Sequence, residues 1–190
     1  MMSRECIKLI YFGRITESKN VDLIIRVLSI LIKKGYKATL NLIGGCSDEY
    51  RQHLLACEKE EQLPSGSVLF HGKKDFGYIA SKLSSSHYFV FPSKEKKEGH
   101  SNSLTEAMAY GVVPIVSTAG FNQSICGDDR LVVTDFSAIG FARKIMEIER
   151  KCEWDALSHF VYDRVIDNYT EVLALESLKQ VLSALEIAAK

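Results

Sequence analysis

Apolar residues recur along this chain in two rhythms that take turns. Short apolar-rich runs occupy residues 7–12, 38–43, 67–71, 87–91, 112–116 and 131–133. The first is broken only by Lys8, as suits a strand covered on both faces, and the run at 112–116 is rich in β-branched residues. Between these runs the spacing changes to that of a helix. Val21, Ile24, Ile25, Leu28, Leu31 and Ile32 form a wide stripe that Gly35 ends, with Asn20 placed to cap it. A second helix starts at Ser47 or Asp48 and runs to about Gln62, before Pro64-Ser65-Gly66, and a third covers roughly 75–84 and ends in a serine run. Leu104, Ala107, Met108 and Gly111 stand at i, i+3, i+4 and i+7, and from Ser137 onward Ile139, Ala142, Ile145 and Met146 repeat the pattern. Two more helices are expected over 154–168 and 171–188. Strand and helix alternating in this way predict a Rossmann-like, doubly wound α/β fold: one domain over residues 1–190, a parallel sheet of about six strands and a C-terminal helical tail.

Chemistry concentrates after the fourth strand. Pro92 stops that run, and the polar segment up to Asn102 has to cross the surface at the strand's carboxyl end before the next helix begins. In an open parallel sheet, ligands bind outside the carboxyl ends of the strands, and a helix start there offers free N–H groups to a phosphate. Gly99, Ser101 and Ser103 are small enough to leave room. Glu98 and Glu106 bracket the segment with seven residues between them. A carboxylate beside an anion would repel it, so both fit better as acceptors for the hydroxyls of a sugar or ribose. Two plainer assignments stay open on spacing alone. Ser103-x-x-Glu106 also fits a capping box, and Glu98 also fits as one more solvated charge in the run KEKKE.

Composition narrows the classes. The 190 residues, 46% hydrophobic and 25% charged, are ordinary for a globular domain with a real core. Twenty-four basic and 24 acidic residues cancel, which gives no field for nucleic acid; Lys94, Lys96 and Lys97 make only a local basic spot among glutamates. Five scattered cysteines without a C-x-x-C pair point to a reducing compartment and a cytoplasmic protein. His53 and Cys57 lie one helical turn apart but have no second ligand pair, so no metal is expected. No apolar run reaches the length of about eighteen residues needed to span a bilayer, and residues 1–5 are polar, so neither a membrane span nor a signal peptide is visible.

The stretch EGHSNSLTEAMAYGVVPIVS, residues 98–117, resembles the signature of retaining glycosyltransferases of the GT-B fold, group 1 or family 4, in which two glutamates separated by seven residues open the donor site. Tyr11-Phe12-Gly13-Arg14 with Lys19 is similar to the family's first strand and phosphate-binding turn, Leu42-Ile43-Gly44-Gly45 to its second strand end, and Phe70-His71-Gly72 to its third. The turn at residues 117–120 resembles one that shapes the donor pocket. Together these cover about residue 8 to about residue 176.

The resemblance implies the carboxyl-terminal, donor-binding half of a hexosyltransferase-type enzyme that uses a nucleotide-diphosphate sugar, UDP-linked, with no cofactor or metal. Arg14 and Lys19 would hold the diphosphate, with Gly13 in the turn and His100, Ser101, Asn102 and Ser103 around the helix start. Glu98 and Gly99 would meet the donor sugar or its phosphate end, Glu106 the ribose, and Gly72 and Lys73 the base. On spacing alone, Arg14 and Lys19 fit equally as surface ion-pair partners of Glu17 or Asp22, and Lys73 as an exposed loop residue. The family's acceptor domain is not in this stretch of chain, so the half alone would be inactive, either as a truncated piece or as a subunit of a split enzyme. A lipid-linked acceptor at the cytoplasmic membrane face, in surface polysaccharide or O-antigen synthesis, is the role such enzymes often have. A non-catalytic nucleotide-sugar-binding subunit and a sugar-nucleotide epimerase-like domain are the alternatives. The chain departs from the family pattern at Asn20, where glycine is usual; at His100; and at the four residues KEKK between Ser93 and Glu98, where about two are common.

Overall fold

The structure, a computed structural model, describes residues 5–95, 97–173, 175 and 179. Six parallel strands form one sheet: β1 (Ile7–Phe12), β2 (Ala38–Ile43), β3 (Val68–Gly72), β4 (Tyr88–Phe91), β5 (Val113–Ser117) and β6 (Val132–Val133), in the order β3-β2-β1-β4-β5-β6. Five of the α-helices lie between the strands, α1 (Val21–Lys33), α2 (Asp48–Glu60), α3 (Phe76–Leu83), α4 (Asn102–Ala109) and α5 (Asn122–Cys126), and α6 (Ala138–Lys151) and α7 (Trp154–Asn168) follow β6. Helix α1 packs on α2 and α6, and α4 packs on α5 and α7, so the sheet lies between two helical layers. Central strands covered on both sides cannot alternate polar and apolar residues. Leu9, Ile10, Leu40, Phe89, Val90, Val113 and Ile115 are all fully buried, although they point to both faces.

Strand order reverses between β1 and β4, where Leu9 pairs with Tyr88 and Ile10 with Phe89. This is the crevice at which doubly wound sheets bind ligands. Away from it, α7 is fastened to the sheet's helices by side-chain donors: Ser158 Oγ to the Gly111 carbonyl (2.6 Å), Arg164 Nε to the Ile125 carbonyl (2.7 Å) and Arg164 Nη2 to the Ser124 carbonyl (2.6 Å). The Arg164 bonds satisfy carbonyls at the end of short α5 that have no intrahelical partner. On the β2–β3 side, Tyr78 donates to His71 Nδ1 (2.8 Å) while His71 Nε2 meets Asn41 Oδ1 (2.7 Å). Burial, and then the Lys82 and Lys74 charges, push the His71 pKa down, which favours the neutral ring whose Nδ1 accepts from Tyr78.

Several local expectations need correcting. Strands β3 and β5 sit one residue later than their apolar runs, and β6 keeps only two residues because Leu131 closes a 3-10 turn. Helix α5, with the sequence NQSIC, is too short to show a period. Ile139 is 59% exposed, whereas Ala142 and Ile145 are buried as their spacing predicts, together with Phe141 and Ile148. Asn20 precedes α1 in the left-handed conformation (φ 57°) and makes no side-chain cap. Of the helix expected over 171–188, the described residues 171–173, 175 and 179 are helical; the rest lies outside the described residues.

Candidate functional site

The segment after β4 is held from three sides. The Lys94 N–H donates to the Ser18 carbonyl (2.9 Å), Asn20 Nδ2 to the Pro92 carbonyl (3.3 Å) and Ser117 Oγ to the Ser93 carbonyl (2.6 Å). Asn20, positioned by its left-handed backbone, therefore ties the β1 loop to the β4 loop across the crevice. Gly120 presses on the same segment from β5: a Cβ there would overlap the Glu98 carbonyl oxygen.

At the centre of this frame the structure brings together Lys19 and Glu98, 79 positions apart in sequence. Lys19 is 7% exposed, and its Nζ lies 2.6 Å from Glu98 Oε2. Ser93 Oγ donates to the same Glu98 oxygen (2.5 Å), and the Phe91 ring lies beneath the ammonium, 5.5 Å from nitrogen to centroid. Glu95 Oε2 also meets Lys19 Nζ at 2.6 Å. Glu95 and Glu98 thus share one cation, and among the described residues Lys19 makes no ion pair with Glu17 or Asp22. Arg14 is exposed and makes no ion pair among the described residues; Tyr11 fixes its backbone by donating from its hydroxyl to the Arg14 carbonyl (2.7 Å).

The N-terminus of α4 points into the same region. Leu104 N–H donates to the Ser101 carbonyl (3.1 Å), so the N–H groups of Asn102 and Ser103 have no intrahelical acceptor. Ser103 follows the first helical residue and Ser101 is the N-cap position, with no side-chain cap bond. That removes the capping-box assignment of Ser103 and Glu106, because Glu106 lies too far along the helix to reach back. Glu106 is half-buried and has no hydrogen bond or ion pair among the described residues, and burial alone raises its pKa. It shares a helix face with Ser103, whose Oγ lies about 4.0 Å from where a Cβ on Gly13 would sit. The two hydroxyls of Ser101 and Ser103 are 3.1 Å apart. His100 is exposed and packs its ring on Tyr169 (5.1 Å between centroids).

Backbone bonds continue this edge across the sheet: Gly13 N–H to the Ile43 carbonyl (3.0 Å) and Gly44 N–H to the Gly72 carbonyl (2.9 Å). Gly72 thus ends the row two strands away from Gly13, with Lys73 exposed beside it, while Gly99 would accept a Cβ without a clash. A cleft of about 1080 Å³ opens on the α1–α2 side of Arg14, lined also by Thr16, Asp22, Tyr50, His53 and Lys94. It borders the carboxylate cluster without containing it. Among the described residues, no three His, Cys, Asp or Glu side chains converge as metal ligands. Sequence reasoning missed Ser93, Ser117 and Asn20 as the holders of the Glu98 loop. The one available signal was the polar character of Ser93 and Ser117 next to strands otherwise apolar throughout.

Comparison with known proteins bears on the family and the fold. The family model for glycosyl transferases group 1 matches residues 4–156. No curated protein matches in sequence. Among solved structures, the chain is similar to sucrose-phosphate synthase from Thermosynechococcus elongatus (24% identity, TM-score 0.80, 99% of this chain and 47% of that one). It is also similar to the C-terminal domain of a glycosyl transferase group 1 family protein, LpcC, from Francisella tularensis (24% identity, TM-score 0.76, 87% of each chain). A third is Anabaena HepE, solved in complex with UDP and glucose (16% identity, TM-score 0.81, 95% of this chain and 49% of that one). At these identities the likeness establishes the fold. The chain spans about half the length of the synthase and of HepE.

Proposed function

We propose, for a chain that belongs to the glycosyl transferases of group 1, that it is the carboxyl-terminal half of such an enzyme and binds a UDP-linked sugar donor for retaining transfer. The observation that carries this reading is the meeting of buried Lys19 with Glu98 beside the open N-terminus of α4, at the point where strand order reverses. A diphosphate in that crevice would be neutralised by Lys19 and the exposed Arg14, and would accept from the N–H groups of Asn102 and Ser103. Ser101, and His100 at the rim, complete that contact. Glu98 and Gly99 would face the donor sugar, and the base would lie toward Gly72 and Lys73.

These groups stabilise charge that grows on the leaving diphosphate, which is where electrostatic help lowers the barrier. In this reading no side-chain nucleophile is needed, because the departing phosphate guides attack by the acceptor hydroxyl. The acceptor belongs to the half of the enzyme that this chain does not span, so transfer requires both halves. Among the described residues no helix is long and apolar enough to cross a membrane. We assign the work to the cytoplasm, at the membrane face, on a lipid-linked acceptor of surface polysaccharide or O-antigen synthesis.

Glu106 separates this reading from a structural one. As a half-buried carboxylate with no partner among the described residues, it is suited to receive the ribose hydroxyls. Glu106→Gln is expected to weaken UDP by about 1–3 kcal/mol. Its melting temperature should hold or rise slightly, since the substitution removes a desolvated charge. Calorimetric titration that shows unchanged UDP affinity would remove Glu106 from the site.

A further inference from the structure

One ammonium with two carboxylates is an unbalanced group. Lys19 Nζ contacts Glu98 and Glu95 at 2.6 Å each, so the cluster carries one negative charge more than Lys19 can neutralise. The two acids are not held equally. Glu98 is anchored a second time by Ser93 Oγ, and its side chain is 10% exposed; the Glu95 side chain is 37% exposed and has Lys19 as its one ion-pair partner among the described residues. Glu95 stands on the stretch between Ser93 and Glu98, as the one acid among Lys94, Lys96 and Lys97.

We propose that Glu95 is a built-in competitor for the donor: its carboxylate occupies a position on Lys19 that a phosphate oxygen takes, and it swings out to solvent when the nucleotide diphosphate arrives. This rests on the donor-site reading of Lys19. Glu98 keeps its Ser93 bond throughout, so the acid that leaves is the one with least to hold it. The Lys19 ammonium, and to a lesser degree the Arg14 guanidinium, hold the Glu95 carboxyl below the usual carboxylate range, as expected of a group lying near both cations that would receive the diphosphate. The ligand must out-compete a carboxylate to enter, so a weakly charged anion gains little at this site, whereas a diphosphate, with several oxygens spread over Lys19, Arg14 and the α4 N–H groups, displaces it.

The test titrates the full 190-residue chain, as wild type, Glu95→Gln and Glu95→Ala, with UDP and with uridine. The dissociation constant for UDP is expected to fall by about two- to fivefold in both variants, the scale of one partly exposed ion pair, while that for uridine stays the same. Equal or weaker UDP binding in the variants overturns the competitor role and leaves the donor site standing. An equal gain for uridine also overturns it, because the effect would then not act through the phosphates. Absence of UDP binding in all three proteins while they remain folded overturns the donor reading and the competitor role together.

Discussion

Replacing Lys19 by alanine is expected to have two large and separable effects. Glu98 would remain in a pocket with its side chain 10% exposed, keeping Ser93 as a donor but losing its cation. Orphaning a buried carboxylate in this way costs about 3 kcal/mol of stability, or roughly a 10 °C fall in melting temperature for a chain of this size. Separately, UDP loses a charge-assisted contact of about 1.5–3 kcal/mol while uridine, which has no phosphate, loses little. The double variant Lys19→Ala/Glu98→Gln distinguishes the two effects. Removing the stranded charge restores much of the stability, but UDP affinity stays low. Denaturant unfolding and calorimetry read both quantities, and equal losses for UDP and uridine in Lys19→Ala would sink the phosphate role.

The second large effect is expected at Gly44. Its backbone has φ of 155°, and a Cβ there would overlap the Gly13 carbonyl oxygen, a backbone atom in the turn that positions Arg14. Relief requires the β1 and β2 turns to separate, which strains the bond from Ile15 N–H to the Gly45 carbonyl (2.9 Å) and the isolated bridge between Ile15 and Cys46. Gly44→Ala should therefore destabilise the fold by about 3 kcal/mol or more. Gly45→Ala is the control, since a Cβ at Gly45 meets nothing within 4 Å and that substitution should be nearly neutral. Thermal unfolding of the two variants decides it: equal melting temperatures would contradict the close approach.

How much of this the chain discloses in advance depends on the range of the interaction. β1, β2 and β4 are readable because strands buried on both faces carry nearly continuous apolar runs, and α1 is readable because its stripe spans three turns. Helix α5 is held by contacts rather than by pattern, so no period marks it, whereas β6 shows in the sequence as the short apolar run 131–133. Asn20 reads as a helix cap by residue type, yet its side chain serves the Pro92 carbonyl because the loop after β4 passes within reach. The pairing of Ser103 with Glu106 matches a capping box letter for letter and fails because the helix starts one residue before Ser103. Glu98 and Lys19 can each be singled out from the sequence, but their contact depends on β4 lying next to β1, which is a property of the topology. The second carboxylate on Lys19, Glu95, stands among lysines in sequence and is marked by no spacing, so only the fold shows that both acids reach one ammonium.

The central claim is that the crevice between the β1 and β4 loops receives a nucleoside diphosphate, and titration of the wild-type chain with UDP, GDP, ADP and uridine tests it most directly. UDP is expected to bind measurably but weakly, with a dissociation constant up to the millimolar range, because in the proposed reading this chain supplies only one wall of the cleft, and uridine is expected to bind more weakly still. A folded protein that binds none of the three diphosphates at millimolar concentration would contradict the account.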